Sequence, residues 1–123
     1  MEQSRLPHQP VLIEAVLEAL RARDCPNGCF VDGTLGAGGH AAAVLGAAPA
    51  ARLLGLDRDP AALALAEERL APFGARATLV HASYERMGTL VPGWLGAESL
   101  GADGVLLDLG LSSMQMDNPA RGF

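Results

Sequence analysis

The sequence predicts one α/β domain in which helices cover both faces of an open parallel sheet. Short, continuous apolar runs recur along the chain, and each is followed by a segment of helical character, as expected of buried parallel strands. A glycine-rich loop joins the first run to the next helix. The 123 residues are 50% hydrophobic, which is enough to form the core of a single domain.

The elements follow in order from their apolar patterns. Leu12, Val16, Ala19 and Leu20 recur with a helical period and predict a helix over residues 11–23, ended by the turn at residues 25–28. Pro60 suits a first helical turn and predicts a helix that continues over residues 61–70. The other predicted elements are strands at residues 29–31, 52–57, 77–81 and 104–108 and a helix at residues 40–48; residues 85–100 are predicted as a poorly defined helical or loop region.

The charge of the chain limits its partners. The formal net charge is −5 at pH 7, and all nine cationic side chains are arginines, so a self-sufficient nucleic-acid-binding surface is not expected. No run has the length and apolarity of a membrane span, and we expect a cytoplasmic protein without a membrane partner. Cys25 and Cys29 are predicted to be free thiols in a turn, and no metal site is predicted.

The loop DGTLGAGGH, residues 32–40, places four glycines between the first strand and its helix. It is not a phosphate-binding P-loop, because the chain has no lysine to follow the last glycine. Residues 36–41 do fit the GxGxxA pattern of dinucleotide-binding folds, and Asp57 lies about 20 residues further on, where such folds place a ribose-binding acid. A nicotinamide-dependent enzyme therefore stays open as an alternative.

Asp32 distinguishes between the two cofactors. A carboxylate that ends the first strand disfavours an incoming pyrophosphate but suits the ammonium and sulfonium charges of S-adenosylmethionine. The helix that begins near His40 favours the carboxylate of that cofactor, and Asp57 can accept hydrogen bonds from the two ribose hydroxyls. Asp59 is the better candidate to cap the following helix, which leaves Asp57 free for the ligand. Tyr84 follows the third strand and can stack on adenine.

These residues also resemble one family. The chain resembles the ribosomal RNA small subunit methyltransferase H group, also called MraW, in several blocks that follow in order. These blocks are His8 with Pro10–Leu12 and Glu14, the loop at residues 32–40, Leu56–Pro60, and the stretch from Leu106 through Ser112, Ser113, Gln115 and Asp117 to Phe123. The resemblance implies a Rossmann-like class I S-adenosylmethionine-dependent methyltransferase fold. It also implies N4-methylation of a cytidine in the decoding region of 16S rRNA in the small ribosomal subunit.

The resemblance implies a set of cofactor contacts but assigns no catalytic residue. The implied contacts are Gly38, Gly39, His40, Asp57, Tyr84, Asp108 and Gln115. Met114 stands where many relatives have proline, a departure that would loosen the turn presenting Gln115. Residues 1–123 would form the N-terminal part of the cofactor-binding domain, with an incomplete sheet, while an inserted helical domain and the remaining strands would follow. We expect such a part alone to be inactive.

N4 methylation requires a proton acceptor beside the amine, because the amine gives up a proton as the new bond forms. The proline and aromatic residue that follow the fourth strand in many amino-methyltransferases are missing here, since Leu109 and Gly110 come after Asp108. We therefore hypothesise that Asp108 serves either the cofactor or the incoming amine. Two alternatives stay open: a half-domain of an NAD-dependent oxidoreductase, and a module that binds a nucleoside without catalysis.

Overall fold

Four parallel strands form the sheet in the part of the chain that the structure, a computed structural model, describes: residues 9–96 and 101–108. The strands are β1 (Cys29–Asp32), β2 (Arg52–Asp57), β3 (Ala77–His81) and β4 (Gly104–Leu106). Their order is β3-β2-β1-β4, and each neighbouring pair is parallel. The predicted parallel sheet is confirmed, and the strand order changes direction beside β1.

Four α-helices flank this sheet within the described residues. They are α1 (Gln9–Leu20), α2 (Gly39–Ala47), α3 (Pro60–Leu70) and α4 (Met87–Leu95), and short 3-10 turns occupy Ala22–Asp24, Ala71–Arg76 and Tyr84–Arg86. The described helices include none that is long and apolar enough to cross a membrane.

Two predicted elements end at least two residues earlier than expected. The first helix was expected to reach residue 23, but it ends at Leu20 because Arg21 adopts the left-handed conformation, with φ of 56°. This conformation terminates a right-handed helix. The fourth strand was expected to reach residue 108, but its ladder ends at Leu106, and the chain then turns toward the glycine loop.

The core lies on both faces of the sheet. On one face, Phe30 and Leu53 are buried with residues of the first three α-helices, among them Leu17, Val44 and Leu70. On the other face, α4 covers the strands: its apolar side chains Met87, Leu90, Val91 and Trp94 pack against Val31, Leu54 and Leu56. Helices on both faces bury the central strands β1 and β2, and this explains why their sequences are almost continuously apolar.

Arg76 fixes the end of α2 from across the domain. Its Nη2 donates to the carbonyl oxygens of Leu45 at 2.7 Å and Ala48 at 2.6 Å, and its Nε donates to the carbonyl of Ala51 at 2.9 Å. The last carbonyls of a helix have no partners within the helix and carry partial negative charge. The guanidinium therefore satisfies the carbonyl groups where α2 ends and the chain returns to β2.

Candidate cofactor-binding site

The predicted site residues converge at the carboxyl edge of the sheet. Asp32 is the last residue of β1 and Asp57 the last of β2, while Asp108 lies two residues beyond β4. Because the strand order reverses beside β1, a crevice forms at this edge, and open α/β sheets bind their ligands at such a position. Three carboxylates from three neighbouring strands thus face one region.

The first half of the glycine loop is tied to the strands on both sides of β1. On the β4 side, the Gly33 N–H donates to the carbonyl of Leu106 at 2.9 Å. On the β2 side, the Leu35 N–H donates to the carbonyl of Leu56 at 2.9 Å. These bonds hold the loop flat across the ends of three strands, so that its backbone forms the floor of the crevice.

The second half of the loop requires glycine. Gly36 has φ of 57° and Gly38 φ of 88°, values that residues with a Cβ rarely adopt. Gly38 precedes α2, which begins at Gly39 without a side-chain cap. The first turn of α2 therefore presents its backbone N–H groups, and the half-buried His40 is its second residue. Such a turn favours a negatively charged group.

Arg69 on α3 is a neighbour of this turn that the sequence analysis missed. Its Nη1 lies 3.2 Å from the position that a Cβ on Gly39 would occupy. The two residues are far apart along the chain, and no local pattern in the sequence connects them. The guanidinium adds positive charge beside the start of α2. This side of the loop is therefore positively charged, whereas the side near the three carboxylates is negatively charged.

Asp32 is almost fully buried, with 2% of its surface exposed. Its Oδ1 accepts a hydrogen bond from the Thr34 N–H at 3.1 Å. Burial raises the pKa of Asp32 to about 7; the charges of Asp108 and Asp57 act in the same direction, and the Thr34 N–H opposes them. A proton or a cation at this position relieves the repulsion among the three carboxylates.

The Asp57 carboxylate accepts hydrogen bonds from the protein backbone that the sequence did not predict. The prediction that Asp59 caps α3 is confirmed, because its Oδ1 accepts from the Ala61 N–H at 2.9 Å. The inference that Asp57 is thereby left free was wrong. Its Oδ2 accepts from the Gly36 N–H at 2.8 Å, and its Oδ1 accepts from the Asp59 N–H at 2.8 Å. Each carboxylate oxygen can accept a second hydrogen bond, so a ligand contact is still possible.

The other predicted contacts fall in different places. Tyr84 is half-buried beside the loop, and its Cβ lies 3.0 Å from where a Cβ on Gly33 would stand. Asp108 is exposed, and its backbone N–H donates to Thr34 Oγ1 at 2.6 Å. Gln115 and Met114 lie outside the described residues.

Cys25 and Cys29 are free thiols, as predicted, and the described residues contain no cluster of three side chains suited to a metal ion.

Comparison with known proteins agrees with this arrangement. The model of the MraW methylase family matches residues 5–123. The chain belongs to the MraW methylase family. The resemblance seen in the sequence is thus confirmed over nearly the whole chain.

Individual relatives extend the comparison within the MraW family. The ribosomal RNA small subunit methyltransferase H of Streptomyces avermitilis is 51% identical over 124 aligned positions, which include 100% of this chain and 37% of the relative. The protein of the same name from Mycolicibacterium paratuberculosis is 48% identical and matches 94% of this chain and 32% of its own length. This chain therefore spans about a third of the length of these curated relatives.

Solved structures show the fold of this MraW family member. TrmN from Thermus thermophilus superposes with a TM-score of 0.67 at 22% identity, covering 87% of this chain and 30% of that one. An S-adenosylmethionine-dependent O-methyltransferase from Thermotoga maritima superposes with a TM-score of 0.62 at 16% identity, covering 89% of this chain and 38% of that one. The Rossmann-like fold of class I methyltransferases, predicted from the resemblance, is confirmed.

Proposed function

We propose that this MraW family member belongs to an S-adenosylmethionine-dependent methyltransferase that modifies N4 of a cytidine in the decoding region of 16S rRNA. Membership of a methylase family and relatives named ribosomal RNA small subunit methyltransferase H support the reaction class and the substrate. We also propose that residues 1–123 form the N-terminal part of the catalytic domain and that much of the RNA-binding surface lies elsewhere. The net charge of −5 supports this division.

One observation supports S-adenosylmethionine over a dinucleotide. Asp32, Asp57 and Asp108 lie together at the carboxyl edge of the sheet, where the glycine loop follows β1. A dinucleotide would bring two negative phosphate charges into this crevice, where the carboxylates would repel them. S-adenosylmethionine instead brings two positive groups and one carboxylate. The acidic crevice suits the positive groups, and the uncapped start of α2 suits the carboxylate.

The residues present fit the parts of this cofactor. Gly38, Gly39 and His40 would hold the methionine end through backbone N–H groups at the start of α2. Asp57 would accept hydrogen bonds from the ribose hydroxyls with its remaining lone pairs, and Tyr84 would contact the adenine beside the loop. Gln115 is proposed as a further contact from the family resemblance alone.

S-adenosylmethionine supplies a methyl group made electrophilic by its sulfonium. Cytidine N4 is a weak nucleophile, so the protein must orient the amine and accept one of its protons as the N–C bond forms. We propose that Asp108, at the open end of the crevice, acts either on this proton or on the cofactor. The target base must be unpaired or turned out of its stack, since pairing occupies N4.

Binding and activity test the proposal separately. In calorimetry on the intact protein, S-adenosylhomocysteine should bind and NAD should not. Radiolabelled methyl groups from S-adenosylmethionine should then appear in small-subunit RNA as N4-methylcytidine, identified by chromatography of the digested nucleosides. RNA in which the target cytidine is replaced by uridine is the control.

The alternatives predict different results in the same experiments. Binding of NAD in preference to S-adenosylhomocysteine would contradict the methyltransferase assignment and support an oxidoreductase. Cofactor binding without methyl transfer by the intact protein would support a module that only binds a nucleoside.

A further inference from the structure

Thr34 connects two of the three acids of the crevice. Its backbone N–H donates to Asp32 Oδ1 at 3.1 Å, and its hydroxyl Oγ1 accepts from the backbone N–H of Asp108 at 2.6 Å. Thr34 itself is half-buried in the loop, whereas Asp108 is exposed.

The register explains why this hydroxyl matters. Asp32 pairs with Leu106, and the Gly33 N–H continues the ladder to the Leu106 carbonyl at 2.9 Å. The next donor that β4 presents toward β1 is the Asp108 N–H, because donors alternate along a parallel strand. The Thr34 hydroxyl receives this donor just beyond the end of β4. The side chain thus fixes the backbone of Asp108 where regular pairing stops.

We propose that Thr34 is a positioning residue that sets the place of Asp108 in the crevice and, through it, the affinity for the cofactor. This inference rests on the proposed function. Asp108 is exposed and follows a strand of only three residues, so its position depends on bonds such as this one. A valine has the shape of threonine without the acceptor, and a serine keeps the acceptor.

The test compares Thr34→Val, Thr34→Ala and Thr34→Ser in the intact protein. Thr34→Val and Thr34→Ala should weaken binding of S-adenosylhomocysteine by about fivefold, the size expected when one hydrogen bond no longer holds Asp108 in place, while Thr34→Ser should stay within about twofold of wild type. Thr78→Val, the same change at an exposed threonine of β3, is the matched control and should leave the affinity unchanged.

A double-mutant cycle asks whether Thr34 acts through Asp108. In an Asp108→Ala background, Thr34→Val should have no further effect on affinity. An equal loss in both backgrounds would overturn the proposal, because Thr34 would then act through the loop or Asp32. Unchanged affinity in both Thr34→Val and Thr34→Ala, or failure of Thr34→Ser to restore it, would overturn it as well.

Hydrogen exchange provides a readout that needs no cofactor. The Asp108 amide should exchange faster in Thr34→Val and Thr34→Ala than in wild type and Thr34→Ser. Equal protection in all of them would overturn the positioning role even if the cofactor binds. If Thr34→Val and Thr34→Ala exchange faster but the wild type binds no S-adenosylhomocysteine, the bond is supported, and the result counts instead against the proposed function, on which the link to affinity rests.

Discussion

The carboxylate of Asp57 is hydrogen-bonded to the backbone of Gly36, with 2.8 Å between Oδ2 and the amide nitrogen. The acid expected to bind ribose at the tip of β2 is therefore also the acid that holds the glycine loop. Its other oxygen accepts from the Asp59 N–H, which fixes the carboxylate in one orientation. A change at Asp57 should consequently affect both halves of the cofactor site.

We predict that Asp57→Ala weakens binding of S-adenosylhomocysteine by more than tenfold and lowers the free energy of unfolding by about 1 kcal/mol, since two backbone N–H groups lose their acceptor. Asp57→Asn should lose affinity too, because its amide can present only one acceptor oxygen where two N–H groups converge. Calorimetry and urea denaturation measure the two quantities.

Asp59→Ala is the control for this prediction. It removes the cap of α3 and should cost about 1 kcal/mol of stability with little change in affinity. If Asp57→Ala behaved in the same way, with lower stability and unchanged affinity, Asp57 would be a structural residue only.

We predict that Asp32 makes stability fall as pH rises. Burial raises its pKa in the folded protein to about 7, above the value of about 4 expected in the unfolded chain. Between these values the folded state binds the proton and the unfolded state releases it, so the contribution of this group decreases by up to about 1.4 kcal/mol per pH unit from pH 4 toward pH 7.

The difference between wild type and Asp32→Asn isolates this contribution from those of the other carboxyl groups. The variant should gain stability relative to wild type as pH rises through this window, measured by urea denaturation at several pH values. Its affinity for S-adenosylmethionine should also lose pH dependence, because a cation favours ionised Asp32 in the wild type. A constant difference in stability across the window would show that Asp32 has an ordinary pKa.

Local patterns in the sequence predict most of the fold but few of the hydrogen bonds that connect the residues of the site. The predicted bounds of β2 and β3 match the structure because apolar runs there end at charged or polar residues. The sequence left the region of α4 open as helix or loop: Met87, Leu90, Val91 and Trp94 have helical spacing, but Gly88, Pro92 and Gly93 interrupt the propensity signal.

The residues of the site were predicted from motifs, whereas their mutual contacts were not. The bonds from Gly36 to Asp57 and from Asp108 to Thr34 join positions 21 and 74 residues apart. Such contacts depend on the strand order, which reverses beside β1, and no short segment of sequence contains that information. For the same reason Arg69, near the start of α2, was missed.

We predict that Arg76→Ala destabilises the protein by about 2 kcal/mol, because three carbonyl groups at the end of α2 lose a half-buried donor. Arg76→Lys should be intermediate, since an ammonium cannot match the spacing of the guanidinium donors. Thermal and urea denaturation provide the measurements. Arg58→Ala, at an exposed arginine, is the control, and equal effects at both positions would contradict the capping role.

We predict that Arg21→Gly stabilises the protein. Arg21 is the one residue other than glycine with positive φ in the described chain, and it occupies the left-handed position that ends α1. Glycine adopts this conformation without the cost of a Cβ, so the free energy of unfolding should rise by about 0.5–1 kcal/mol. The ion pair lost with Asp24 is exposed, at 3.5 Å, and contributes little to stability. Arg21→Ala loses the same ion pair but keeps the strained conformation, so it should show no gain in urea denaturation. An equal gain in both variants would mean that the charge, and not the backbone conformation, limits stability at the end of α1.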